Sequence, residues 1–154
     1  MTERSVQHAT FSVERRYEVS PARVFAAWAD QDVKARWFID PDGPAATPKH
    51  ELEFRPGGHE LNVGDHRDGS AYEYHAYYWE IVPDERIVYS YEMLVGGTRI
   101  SVSLATVELT AEGDGTRLKL TEQAAFFDDR DAPDRRRQGS GALLDALAEE
   151  LECD

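Results

Sequence analysis

The chain has one cysteine, Cys153, in 154 residues. It has no partner for an internal disulfide, and a lone thiol cannot build a thiolate zinc cage. No apolar run approaches the length of a membrane span, and Met1 to Thr10 holds no apolar signal core. A cytoplasmic location and no membrane partner are therefore expected. Basic residues are also scarce: 17 Lys and Arg stand against 30 Asp and Glu, a formal net charge of −13. Such a surface repels phosphate backbones and anionic headgroups, which argues against a nucleic-acid partner. Only Arg135-Arg136-Arg137 forms a basic run, too short to reverse that balance.

Motifs for hydrolysis are missing as well. There is no Gly-x-Ser-x-Gly elbow and no Gly-x-x-x-x-Gly-Lys phosphate loop. Gly139-Ser140-Gly141 resembles an elbow only superficially, because no strand precedes it. His59, Glu60, Asp65, His66, Asp68 and His75 lie close in sequence, but their spacing fits no metal motif. Charges from Asp65 to Asp68 suit an exposed hairpin tip. No metal and no cofactor are expected.

What is present is an ordinary globular composition, 41% hydrophobic and 31% charged, in a length suited to one domain over residues 1–154. The stretch from Ala132 to Cys153 reads as one long helix. Leu144, Leu147 and Leu151 fall on one stripe at helical spacing, with Leu143 beside it. Upstream, Phe11, Val13, Tyr17 and Val19 alternate as a strand, with Arg15 in the same phase. Ser20-Pro21 reads as a helix start before Val24, Phe25 and Trp28, and a second short helix follows over Gln31 to Trp37. Asp40 to Pro48 carries three prolines and a glycine and reads as a loop.

Strands and turns then alternate. Leu52 and Phe54, then Leu61 and Val63, precede a hairpin signal at Asp68-Gly69. Tyr72 to Val82 is an aromatic-rich strand, and Ile87, Tyr89, Tyr91 and Met93 share one face of the next. In Thr98 to Ala111 the apolar set is Ile100, Val102 and Leu104, then Val107 and Leu109. The change of parity near Ala105 points to a bulge or bend. Leu118 and Leu120 alternate, and Glu122 and Ala124 continue their phase. A sheet with one apolar face needs a cover, and the last helix is the longest apolar-faced element. The expected fold class is α+β: a curved antiparallel sheet wrapped around a long C-terminal helix, with two short helices after the first strand.

Several segments in this order match a known family. They are Pro21 with Val24-Phe25 and Trp28, Ala35-Arg36-Trp37-Phe38, Arg55-Pro56-Gly57-Gly58, and the run from Tyr78 to Val88 through Pro83-Asp84-Glu85-Arg86. Gly115-Thr116-Arg117-Leu118, and Gly139 ahead of Leu144-Asp145 and Leu147, complete the set. From about Phe11 to Leu151 the chain resembles the SRPBCC, or START-like, superfamily, and within it the family of the activator of heat shock protein 90 ATPase. Members often carry a tryptophan after the glycine near the start of the last helix; here it is Ser140. The resemblance implies the helix-grip fold with a cavity between sheet and helix. It also implies a range of roles: lipid and hormone carriers, polyketide cyclases and co-chaperone domains.

Candidate ligand-binding residues come from the aromatics and from two charges on an apolar phase. Trp37, Phe38, Phe54, Tyr72, Tyr74, Tyr77, Trp79, Tyr89 and Tyr91 either fill the core or line a pocket. Leu144 on the helix stripe would close it. Arg15 and Glu122 both sit in phase with apolar neighbours, on strands that the implied fold makes adjacent. They are expected to pair as a polar handle at one end of the cavity, or else to reach solvent near strand ends. The expected partner is a small hydrophobic or aromatic molecule. A chaperone partner and a cyclase- or aromatase-type enzyme are the alternatives, the latter working from Tyr, His or Glu in the cavity. Oligomeric state is not legible here.

Overall fold

A computed structural model describes residues 4–39, 49–65 and 69–152. Among these residues ten elements run in the order β1 (Val6–Tyr17), α1 (Pro21–Ala29), α2 (Gln31–Phe38), β2 (Lys49–Leu52), β3 (His59–Asp65), β4 (Ala71–Val82), β5 (Arg86–Val95), β6 (Thr98–Glu112), β7 (Gly115–Phe127) and α3 (Pro133–Glu152). All seven strands form one curved antiparallel sheet in the order β1-β7-β6-β5-β4-β3-β2. The meander pairs each strand with the next, and β1 closes back on β7. The expected loop at Asp40 to Pro48, His66, Asp68 and Cys153 lie outside the described residues.

Local chemistry sets the helix starts. The Ser20 hydroxyl accepts from the Arg23 amide at 3.2 Å, and Pro21 occupies the first turn where its missing N–H costs nothing. Asp30 caps α2 by accepting from the Val33 amide at 3.1 Å. The β5–β6 hairpin turns through Gly96 and Gly97, with φ of 58° and 80°, the left-handed pair that a two-residue hairpin requires.

The long helix covers the inner face as its leucine stripe implies. Leu144, Leu147 and Leu151 are buried, together with Ser140 and Gly141. Tyr17 pins the helix to β1 by donating its hydroxyl to the Leu144 carbonyl at 2.9 Å. A Cβ at Gly141 would lie 3.0 Å from the Arg15 guanidinium, so the small residue permits a close approach of helix to strand. The Arg36–Glu150 ion pair, 2.8 Å, ties α2 to the last turns of α3.

Two strand phases differ from expectation. In β6 no parity change occurs at Ala105. Ser101, Ser103, Ala105, Val107 and Leu109 all face inward and are buried, while Val102 and Leu104 lie on the outer face, 41% and 38% exposed. The irregularity falls earlier, where Met93 pairs with Ser101 but Leu94 pairs with Arg99. In β3 the buried residues are Glu60 and Asn62, and Leu61 and Val63 are only half-buried. In both strands polar residues take the inner positions, because partners wait for them there.

Candidate functional site

Two clusters of buried polar side chains face the interior, on either side of a tract of tyrosines. The first centres on Lys34. Lys34 sits one turn before Trp37 and Phe38 on α2, so it shares their inward face. It is fully buried, and its ammonium lies 2.6 Å from Glu60 Oε1. Tyr78 donates its hydroxyl to the same oxygen at 2.6 Å and accepts from Lys34 at 3.1 Å. His50 Nε2 meets the other carboxylate oxygen at 2.8 Å. The rings of Phe38 and Trp28 enclose the ammonium at 4.5 and 5.3 Å, a cation–π setting strengthened by the absence of water.

Burial by itself would raise the Glu60 carboxyl. The Lys34 charge and hydrogen bonds from His50, Lys34 and Tyr78 outweigh it, and the group falls from 4.5 to about 2. Burial lowers Lys34, with Glu60 opposing that shift. Burial foremost pushes the hydroxyls of Tyr74, Tyr78 and Tyr89 well above the ordinary phenol range. These tyrosines stay neutral.

The second cluster centres on Glu122 of β7. Tyr91 donates to its carboxylate, 2.8 Å from each oxygen, and Ser103 donates at 2.9 Å. Arg136 of α3 reaches in from above. It donates to Tyr91 at 2.9 Å and to Ser101 at 2.7 Å, and it pairs with Asp131 at 2.8 Å and Glu122 at 3.4 Å. The first turn of α3 is thereby fastened to β5, β6 and β7.

Between the clusters, Tyr78, Tyr89, Tyr91 and Tyr74 contact one another at ring-centroid distances of 4.9 to 6.1 Å. Three buried polar atoms on the Lys34 side have no hydrogen-bond partner among the described residues: Trp28 Nε1, His50 Nδ1 and the Tyr74 hydroxyl. All three belong to residues that border Phe38 or Lys34: the Tyr74 and His50 rings lie 5.1 and 6.4 Å from the Phe38 ring, and the Lys34 ammonium lies 5.3 Å from the Trp28 ring. An unmade hydrogen bond at a buried atom costs about 1–3 kcal/mol, so three around the same two side chains mark a region where something polar belongs.

The residues read from sequence as a ligand set divide accordingly. Phe38, Phe54, Tyr89, Tyr91, Glu122 and Leu144 join the interior, Phe54 as a half-buried edge against Tyr78 and Phe25. Trp37 is buried too, but its indole N–H is held by the Ala27 carbonyl at 3.0 Å, which makes it the clamp between α1 and α2. Tyr77 and Trp79 stand on the other face of β4. Trp79 is 59% exposed, and its N–H goes to Ser90 at 2.9 Å. Three aromatics in a row, Tyr77-Tyr78-Trp79, give alternation nothing to discriminate, and it is Tyr78 that points inward.

The expected Arg15–Glu122 pair does not form. Phe11 is the β1 neighbour of Glu122, and Arg15 sits opposite Leu118. Four residues along a strand is about 13 Å, so a shared phase does not bring the two together. Arg15 instead binds Asp145 of α3 at 2.7 Å near the surface, and Arg136 takes the place beside Glu122. Arg15 of β1 and Asp134, Arg137 and Asp145 of α3 line an open groove of about 520 Å³.

Sequence reasoning does not single out Lys34, His50, Tyr78, Ser101, Ser103 or Arg136 as site residues, and it weighs Glu60 only within a cluster whose spacing fits no metal motif. Helical spacing to Trp37 and Phe38 was the signal for Lys34. Among the described residues no group of His, Cys, Asp and Glu is arranged to hold a metal ion. No helix among them is long and apolar enough to cross a membrane.

A curved antiparallel sheet gripping a long C-terminal helix, with two short helices after the first strand, is the helix-grip fold of the SRPBCC superfamily, which is known for ligand binding. The chain belongs to the family of Activator of Hsp90 ATPase homolog 1-like proteins, whose family model matches residues 18–152. An uncharacterised protein of solved structure from Rhizobium leguminosarum is 43% identical over 99% of this chain and 100% of its own, with a TM-score of 0.93. A protein from Rhizobium loti is 47% identical over 95% of this chain and 99% of its own, with a TM-score of 0.86. A protein from Chromobacterium violaceum, 23% identical over 94% of this chain and 98% of its own, shares the fold at a TM-score of 0.75. No curated protein matches the chain.

Proposed function

We propose that this protein binds a small hydrophobic or aromatic molecule between the sheet and the C-terminal helix. The observation that carries this reading is the Tyr74 hydroxyl, buried in a wall of aromatic rings without a partner among the described residues. Small-molecule sites are mostly apolar and aromatic, with a few polar groups that fix orientation. Tyr74, Tyr89, Phe38 and Leu144 supply the apolar walls. Glu122 holds Tyr91 in place, and Arg136 secures the start of the helix that closes the site.

Native and denaturing mass spectrometry on freshly purified protein test the proposal. A mass excess that disappears on denaturation is the expected result, and it would allow the ligand to be identified. Equal masses, together with no uptake of an added aromatic probe, would count against it. The family description names an activator of a chaperone ATPase. A change in the rate of such an ATPase on adding the protein would favour an interaction role instead.

A further inference from the structure

We infer that the ligand is uncharged: an aromatic or apolar body bearing a neutral oxygen function, hydroxyl or carbonyl, seated against Trp28, His50 and Tyr74. This rests on the binding role proposed above and names its chemical class. Charge pairing is the first ground. Lys34 is held by Glu60 at 2.6 Å, and Arg136 by Asp131 at 2.8 Å and Glu122 at 3.4 Å. His50 already gives Nε2 to the second oxygen of Glu60. Among the described residues, a ligand carboxylate or phosphate entering here would meet no cation without a carboxylate of its own. A buried charge without a partner is strongly disfavoured.

The second ground is the chemistry of the unpartnered atoms. An indole N–H only donates, so Trp28 calls for an acceptor. The Tyr74 hydroxyl can donate or accept, and His50 Nδ1 accepts, because the imidazole gives its Nε2 proton to the Glu60 carboxylate. A carbonyl oxygen can take two of these donors, and a hydroxyl can serve either way. A pure hydrocarbon would leave all three unmade. The aromatic neighbours Phe38, Tyr74 and Tyr89 suit a flat body beside that oxygen.

Isothermal titration with 2-naphthol, 2-naphthoate and naphthalene at about pH 7 separates the possibilities, since there the first is neutral and the second ionised. The expected order is 2-naphthol tighter than naphthalene by about fivefold, the worth of one net hydrogen bond. Naphthoate should be weaker than 2-naphthol by at least about thirtyfold. Tyr74→Phe should remove most of the naphthol advantage and leave naphthalene affinity unchanged, which also shows that the variant is folded. Trp28→Phe, which deletes the indole N–H, should act the same way. Naphthoate binding as tightly as naphthol, or naphthol and naphthalene binding alike, would overturn the inference while leaving the binding role standing. Failure of all three to bind would overturn both.

Discussion

The two buried ion pairs are built from the same chemistry and end in different states. Around Arg136 and Glu122 the hydroxyls of Tyr91, Ser101 and Ser103 all have partners, and the network joins three strands to the start of α3. Around Lys34 and Glu60 the pair itself is satisfied, yet three polar atoms on the surrounding residues have no partner among the described residues. A complete network rigidifies; an incomplete one beside aromatic walls leaves places for an incoming group. The first cluster thus reads as architecture and the second as recognition.

The largest effects should come from breaking one partner of each pair. Glu60→Gln strands Lys34 in the interior and should cost about 3–5 kcal/mol in urea denaturation. Glu122→Gln should cost less, about 1–3 kcal/mol, because Arg136 keeps Asp131. Equal losses would erase the distinction between a pair with one carboxylate and a pair with two.

Removing the first pair whole should behave differently. Lys34→Met combined with Glu60→Gln should recover most of the stability that Glu60→Gln alone loses. It should also flatten the acid limb. Glu60 titrates near about 2 when folded and near 4.5 when unperturbed. Its stabilisation is therefore full above about 4.5 and lost as pH falls toward about 2, on the order of 3 kcal/mol for this group. Stability of wild type and double variant measured across that window should converge at the acid end. Parallel curves would remove Glu60 from the account.

The tyrosines sharpen the comparison further. Tyr91→Phe takes a donor from Glu122 and should cost about 1–3 kcal/mol. Tyr74→Phe removes a hydroxyl that has no partner among the described residues, so the ligand-free protein should be unchanged or gain up to about 1 kcal/mol. A matching loss at both positions would mean that Tyr74 is bonded after all. The smallest effect belongs to the outer face: Trp79→Ser, at a side chain 59% exposed, should move stability by only about 0.5 kcal/mol.

The elements themselves were legible. Period and punctuation located α1, α2, α3 and nearly every strand, because Ser20, Pro21 and the glycine turns act locally. The inner face was harder to read. A rule that places apolar residues inside sends Leu61, Val63, Val102 and Leu104 to the core. The structure instead buries Glu60, Asn62, Ser101 and Ser103; the partners of Glu60 and of the two serines, Lys34 and Arg136, come from helices outside their own hairpins. Buried polar networks are tertiary objects, and alternation within one strand carries no record of them. Glu122 was found because it interrupts an apolar phase. Its partner was misassigned because phase fixes the face of a strand and not the distance along it.

Three tryptophans offer the most direct test, since each indole N–H has a different fate. Trp37 donates to Ala27, Trp79 donates to Ser90 on the outer face, and Trp28 has no partner among the described residues. In a ¹⁵N–¹H correlation spectrum, titration with 2-naphthol should move the Trp28 indole resonance and leave that of Trp79 in place. A shift at Trp79 with Trp28 unmoved would put the ligand on the outside of the sheet and contradict the recognition role of the Lys34 cluster.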